Sequence, residues 1–237
     1  MNTISLSRRK FAQLLGAGAA AALARPVFSI ARQPEHVAAA SGVVRLSANE
    51  NPHGPSPNAL KAMTDSFGLS CRYPDEHNNV LIEKLAKLNS VNHDQILLGD
   101  GSGEILKLCA ETFTGQERGP LIAADPTFEA ILKNATANGA EVVKIPLTSG
   151  FAHDLPKMLT TAKRGLIYVC NPNNPTASIT PNDELRDFIK KTPRDTTILV
   201  DEAYFHYANS PDYDSVMSLT KDHPNLIVSR TLLSKIA

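Results

Sequence analysis

The sequence predicts an α/β fold, a mostly parallel sheet with helices on both faces. Two observations carry that prediction. Short apolar runs rich in β-branched residues alternate with helix-like segments through most of the chain. Those runs are apolar along their whole length and not at every second residue, the pattern of strands covered on both sides. Ligands of such sheets sit beyond the carboxyl ends of the strands.

Taken in order, the Pro/Asn-rich stretch at 49–58 predicts an extended arm that leads into the first helix. Residues 95–98 read as a strand, followed by the turn Gly99-Asp100-Gly101-Ser102-Gly103 and a helix over 104–113. A strand over 121–124, a helix near 128–138 and a strand over 141–145 come next. The runs 166–170, 197–200 and 226–229 predict three further strands. A helix over 181–191 joins the first two of these, with Thr180 as N-cap and Pro181 at its first position. No internal repeat or low-complexity tract interrupts this order.

Composition excludes several functions. The 237 residues carry 24 Lys+Arg against 24 Asp+Glu, with 42% hydrophobic residues. That balance argues against wholesale disorder and supplies no electrostatic reason for a nucleic-acid partner. Three cysteines, Cys71, Cys109 and Cys170, are too few and too far apart for a disulfide framework or a zinc site, so no metal is expected. The zero net charge conceals an asymmetry. Residues 1–24 contain Arg8, Arg9 and Lys10 and no acid, so the chain beyond them is mildly acidic. An alanine-rich run over 11–23, broken by Gly16 and Gly18, is too short for a stable membrane span. Ala22-Leu23-Ala24 offers a small-x-small cleavage site, and Ser7-Arg8-Arg9-Lys10-Phe11 resembles a twin-arginine export signal. The expected organisation is a signal peptide over 1–24, an N-terminal arm over 25–60 and a large domain over 61–237, with export to the periplasm.

The informative residues lie at the strand ends. Gly99-Asp100-Gly101-Ser102-Gly103-Glu104 is a glycine-rich turn into a helix, where backbone N–H groups are able to hold a phosphate. It departs from the dinucleotide fingerprint because its third glycine comes one position early. Asp125-Pro126-Thr127-Phe128 brings an aromatic ring to the same rim. Cys170-Asn171-Pro172-Asn173-Asn174-Pro175-Thr176 combines two prolines, which hold the loop extended, with three amide side chains. Val200-Asp201-Glu202-Ala203-Tyr204 ends an apolar strand on a carboxylate, which calls for a cationic partner if buried. Ser229-Arg230-Thr231-Leu232-Leu233-Ser234-Lys235 follows the last strand. Each has a plain structural reading too: a helix start, a core Phe, a capping Asp, a solvated Lys.

In this order, and with Leu46-Ser47-Ala48-Asn49-Glu50-Asn51-Pro52, Gly54-Pro55-Ser56-Pro57 and Arg72-Tyr73-Pro74-Asp75, the motifs resemble the fold-type-I, pyridoxal 5′-phosphate-dependent aminotransferases of class I/II. The resemblance, to the histidinol-phosphate aminotransferase-like branch, spans roughly residues 43–235. It implies that Lys235 forms the Schiff base with the cofactor and shuttles a proton. It implies that Asp201 pairs with the pyridine nitrogen, that Asn174 and Tyr204 hydrogen-bond the ring 3′-oxygen, and that Phe128 stacks on the ring. The backbone of Ser102, Gly103 and Glu104, with Ser234, would hold the phosphate. Tyr73 would reach it across a homodimer interface, and Asn49 would border the substrate. The implied reaction is transamination of an amino acid to a 2-oxo acid. A related decarboxylase, a carbon–sulfur lyase or a non-catalytic remnant would keep the same core.

Three departures from the family pattern matter. An additional residue separates Arg230 from Lys235. Ala177 stands where the family usually has glycine, at a backbone angle that costs alanine about 1–2 kcal/mol. The sequence ends at Ala237, so the segments that follow the lysine in the family, including its small domain, are expected to be missing.

Overall fold

The computed structural model describes residues 47–51 and 54–232. The expected signal peptide, Ser234 and Lys235 lie outside the described residues. The chain divides into two units after Asn49, and the elements below belong to the second.

Among the described residues five strands form one sheet: β1 (Leu121–Asp125), β2 (Val142–Pro146), β3 (Gly165–Cys170), β4 (Thr196–Asp201) and β5 (Leu226–Ser229). Their order is β2-β1-β3-β4-β5, and every pairing is parallel. Six helices accompany them among the described residues: α1 (Pro57–Asp65), α2 (Asp75–Asn89), α3 (Ser102–Phe113), α4 (Ala130–Ala137), α5 (Leu155–Thr161) and α6 (Asn182–Lys191). Strand side chains alternate between two cores. Ile122, Ile167, Val169, Ile198 and Val200 pack with Leu155 and Met158 of α5 and Leu185, Phe188 and Ile189 of α6. Leu121, Ala123, Leu166, Tyr168 and Leu199 pack with Leu106 of α3 and Ile131 and Leu132 of α4. Helices on both faces explain why the strands are apolar throughout. Each fully buried Leu or Ile contributes roughly 1.5–3 kcal/mol relative to exposure.

The chain winds in two directions from the middle of this sheet. From β1 it moves outward to β2, then crosses back to β3 and on to β4 and β5. The connections on either side of the β1–β3 boundary therefore leave on opposite faces, and the carboxyl ends of strands at such a reversal are where open α/β sheets hold their ligands.

Three expectations are corrected, and one helix is added. Residues 95–98 form no strand: His93–Gln95 is a 3₁₀ turn, closed by a hydrogen bond from Asn92 N to Gln95 Oε1 (3.0 Å). Gly99 ends the run three residues later, too few for a ladder, and Leu97 is left 73% exposed. Helix α5 was not foreseen, although Asp154 accepts from Lys157 N (3.1 Å) and Pro156 sits in the first turn, both ordinary start signals. Helix α6 begins at Asn182 with Pro181 as its N-cap. The Thr180 hydroxyl is diverted to the buried His153, 2.8 Å from Nδ1 and 3.1 Å from the backbone N–H it accepts. Finally, α1 starts at Pro57, inside the expected arm, because the Ser56 hydroxyl accepts from Ala59 N and Pro57 supplies a helical φ at the first position.

Candidate active site

The loops that follow β1 and β3 at this reversal are laced together. Thr127 Oγ1 donates to Asn173 Oδ1 (2.9 Å), while Asn173 Nδ2 donates to Pro126 O (3.1 Å) and to Thr176 Oγ1 (2.8 Å). Asn171 closes the base of the same loop, donating to Thr180 O (3.1 Å) and accepting from Thr180 N (3.0 Å). Two of the three asparagines are thus buried framework residues, and Asn174 is the half-buried one. The turn closes through Ala177, whose φ of 55° is left-handed, a conformation that favours glycine.

The end of β4 carries the main charge of the site. Asp201 is 2% exposed and accepts from Tyr168 Oη (2.9 Å), Ser229 Oγ (2.9 Å) and Ala203 N (3.2 Å). Burial, followed by the Asp201 charge, pushes the Tyr168 phenol well above its ordinary range, so it is a donor at all working pH values. By strand alternation Tyr168, Asp201 and Ser229 share the sheet face that packs on α3 and α4.

Helix α3 opens at that edge. Gly101 enters it with φ 88°, and a Cβ on Gly99 would come within 2.7 Å of Ile105 Cδ1. The Glu104 carboxylate turns back to accept from Asp100 N (2.6 Å), closing the turn by its side chain. The first-turn N–H groups of Ser102, Gly103 and Glu104 have no acceptor within the helix by its geometry, which suits an anion.

The structure therefore places Ser102, Gly103 and Glu104 in the first turn of α3, Asp201 at the end of β4, and Phe128, Asn174 and Tyr204 in the loops after β1, β3 and β4, all at the carboxyl edge of the sheet. Phe128 is partly exposed there and Tyr204 half-buried. Tyr73 lies elsewhere, 90% exposed on the connection into α2, and Asn49 belongs to the first unit.

Sequence reasoning missed the residues that brace this edge. Glu202 is buried and accepts from Arg230 Nη2 (2.8 Å) and Nε (3.0 Å), Ser215 Oγ (2.8 Å) and Val216 N (2.9 Å). Arg230 also reaches Asn89 Oδ1 (2.8 Å), and its guanidinium lies 4.1 Å from the centre of the Phe205 ring. One signal was present: opposite charges follow two neighbouring strands whose last residues, Asp201 and Ser229, are register partners.

The model of the family "Aminotransferase class I and II" matches residues 41–236. The chain belongs to this family. It is 36% identical over 196 residues to histidinol-phosphate aminotransferase of Brevibacillus brevis, covering 82% of this chain and 53% of that protein. The enzyme of the same name from Symbiobacterium thermophilum is 38% identical over 196 residues, with 82% and 53% covered. The crystal structure of histidinol-phosphate aminotransferase from Sinorhizobium meliloti in complex with pyridoxal 5′-phosphate superposes with a TM-score of 0.72 at 26% identity, covering 80% of this chain and 51% of that one. The chain spans about half the length of the curated relatives it matches.

The cofactor of class I and II aminotransferases is pyridoxal 5′-phosphate, and the residues here fit it chemically. A buried carboxylate held by hydroxyl and amide donors suits a protonated ring nitrogen. The α3 N-terminus on the same edge suits the phosphate.

Proposed function

We propose that this chain provides the pyridoxal-phosphate-binding part of an aminotransferase that converts an amino acid to a 2-oxo acid, of the histidinol-phosphate aminotransferase-like kind. The observation that carries this reading is the pairing of a buried, hydroxyl-braced Asp201 with an anion-suited helix start at one carboxyl edge of a parallel sheet. When bound, the cofactor supplies an electron-withdrawing ring that accepts charge from the substrate Cα. Asp201 holds the proton of the ring nitrogen, and the amides of Ser102, Gly103 and Glu104, with Ser234, bind the phosphate. Phe128 lies against the ring, while Asn174 and Tyr204 donate to its 3′-oxygen. Lys235 holds the cofactor covalently and moves the proton at the substrate Cα, and Asn49 borders the substrate. Tyr73, exposed outside this edge, completes the phosphate site of a second copy in a homodimer. The leader resemblance supports delivery of the folded protein to the periplasm.

The test is covalent. Purified protein is incubated with pyridoxal phosphate, reduced with borohydride and peptide-mapped, and the expected product is a pyridoxyl group on Lys235. Its absence would sink the assignment. An amino-donor panel followed for 2-oxo acid, carbon dioxide and sulfide then separates a transaminase from a decarboxylase or lyase. A fusion of residues 1–46 that leaves a reporter in the cytoplasm would refute export, and a monomer by sedimentation would refute the role of Tyr73.

A further inference from the structure

Tyr168 is the largest fully buried side chain of the sheet, and its hydroxyl demands an explanation that its ring does not. The ring fills the core between the sheet and helices α3 and α4, a task a phenylalanine would perform as well. A hydroxyl at that depth is costly to desolvate unless it is paired. Here its partner on the next strand is Asp201 Oδ2, at 2.9 Å, and the Cys170 side chain interacts with it as well. On the other flank, β5 contributes the buried Ser229, whose hydroxyl donates to Asp201 Oδ1 at 2.9 Å. The carboxylate is therefore gripped at both oxygens, from both neighbouring strands. We propose that Tyr168 is a positioning residue that, with Ser229 opposite it, fixes the plane and the ionised state of the Asp201 carboxylate for a protonated nitrogen heterocycle.

The inference rests on the cofactor reading above, and the physics is direct. Two donors on opposite oxygens stop the carboxylate from rotating, which holds its plane without help from a ligand. Hydrogen bonds to the charged form also favour that form over the acid. Neither hydroxyl competes for a proton, because Tyr168 stays protonated by burial and the Asp201 charge. The other ionisable group at this end of β3 is Cys170, the register partner of Asp201, whose thiol donates to Pro172 O at 3.5 Å and whose side chain also interacts with Tyr168. Glu202 and Arg230, just beyond β4 and β5, pair with each other.

The experiment compares the wild-type chain with Tyr168→Phe, which keeps the ring and removes the donor. Two readouts apply. The first is the acid limb of thermal stability without cofactor. With one donor gone the folded chain holds the ionised carboxylate less well, so the limb is displaced. The displacement disappears when Tyr168→Phe is made in an Asp201→Asn background. The second is the ratio of affinities for pyridoxal phosphate and its 1-deaza analogue, which lacks the ring nitrogen. Tyr168→Phe lowers that ratio by about 10-fold, the effect of one hydrogen bond to a charged group, and leaves affinity for the analogue unchanged. Ser229→Ala, smaller in side chain and at the sheet edge, gives the same signs and guards against misfolding of the first variant. An unmoved acid limb, or equal losses for both compounds, would overturn the proposal. If the wild type binds neither compound the cofactor reading fails, and the acid limb alone then decides whether Tyr168 governs the carboxylate.

Discussion

The sheet with its carboxyl edge and the N-terminal helical region follow opposite rules. Around β3, β4 and β5 the polar groups that point inward are interlocked: Asp201 with Tyr168 and Ser229, Glu202 with Arg230 and Ser215, Asn173 with Thr127. In the helical region, α1 buries none of its residues and α2 buries only Ala86. Large apolar side chains there face outward, Phe67 at 70% and Leu88 at 77% exposed. The first region obtains its order from contacts within this chain. The second keeps its helices by local means: the Ser56 cap, acidic residues in the first turn of α2, and a left-handed Ser90 that ends it. The lesson is that substitutions of similar chemistry carry very different costs in the two regions.

The largest effect tests the interlocked region. Glu202→Gln removes the anion beneath Arg230 and leaves a partly buried guanidinium without its charge partner. Breaking a buried pair on one side costs about 3–5 kcal/mol, to be read from the denaturant midpoint at unchanged slope. A loss below about 1 kcal/mol, the size of an exposed pair, would make this an ordinary surface bridge.

A comparable effect is expected from pH. His153 is 2% exposed, and burial lowers its pKa from 6.5 to about 4. Its Nε2 has no hydrogen-bond partner among the described residues. The unfolded chain therefore takes up this proton first as pH falls. Stability from the neutral imidazole is fully present above about 6.5 and is lost progressively towards pH 4. A tenfold difference in proton affinity between the folded and unfolded chains is worth about 1.4 kcal/mol, so the total loss approaches about 3 kcal/mol. Melting temperature against pH measures it, and His153→Gln should flatten that part of the profile. An unchanged slope would assign acid sensitivity to other groups.

Smaller still is the strain in the loop after β3. Ala177→Gly relieves a left-handed alanine and should stabilise the protein by about 1 kcal/mol, after the greater freedom of glycine in the unfolded chain is offset. The smallest effect belongs to the helical region, where Phe67→Ser or Leu88→Ser should shift stability by no more than about 0.5 kcal/mol in the isolated chain. A loss of several kcal/mol there would show that these side chains are packed in solution, and the contrast between the regions would collapse.

Legibility in the sequence followed the range of the forces. The strands over 166–170 and 197–200 were readable because burial on both faces leaves an unbroken apolar run, and β3 and β4 differ from those bounds only at their ends. Residues 95–98 carried the same composition and failed as a strand, since Asn92 and Gly99 leave too little chain between them. Thr180 looked like a cap and instead meets His153, which lies 27 residues earlier. The residues at the carboxyl edge were found through motifs at strand ends. Tyr168 was not, because nothing in an apolar run announces that one ring carries a donor aimed at the neighbouring strand.

By itself the sequence determined the family, the parallel α/β architecture and the placing of polar motifs at strand ends, because these depend on local patterning and on the order of elements. Only the tertiary structure decided which polar groups meet: that Asn171 and Asn173 turn inward while Asn174 stays half-buried, that Glu202 belongs to Arg230, and that Asp201 is held between two hydroxyls. Those pairings join strands far apart in the chain, and their register is set by sheet packing, which no local pattern encodes.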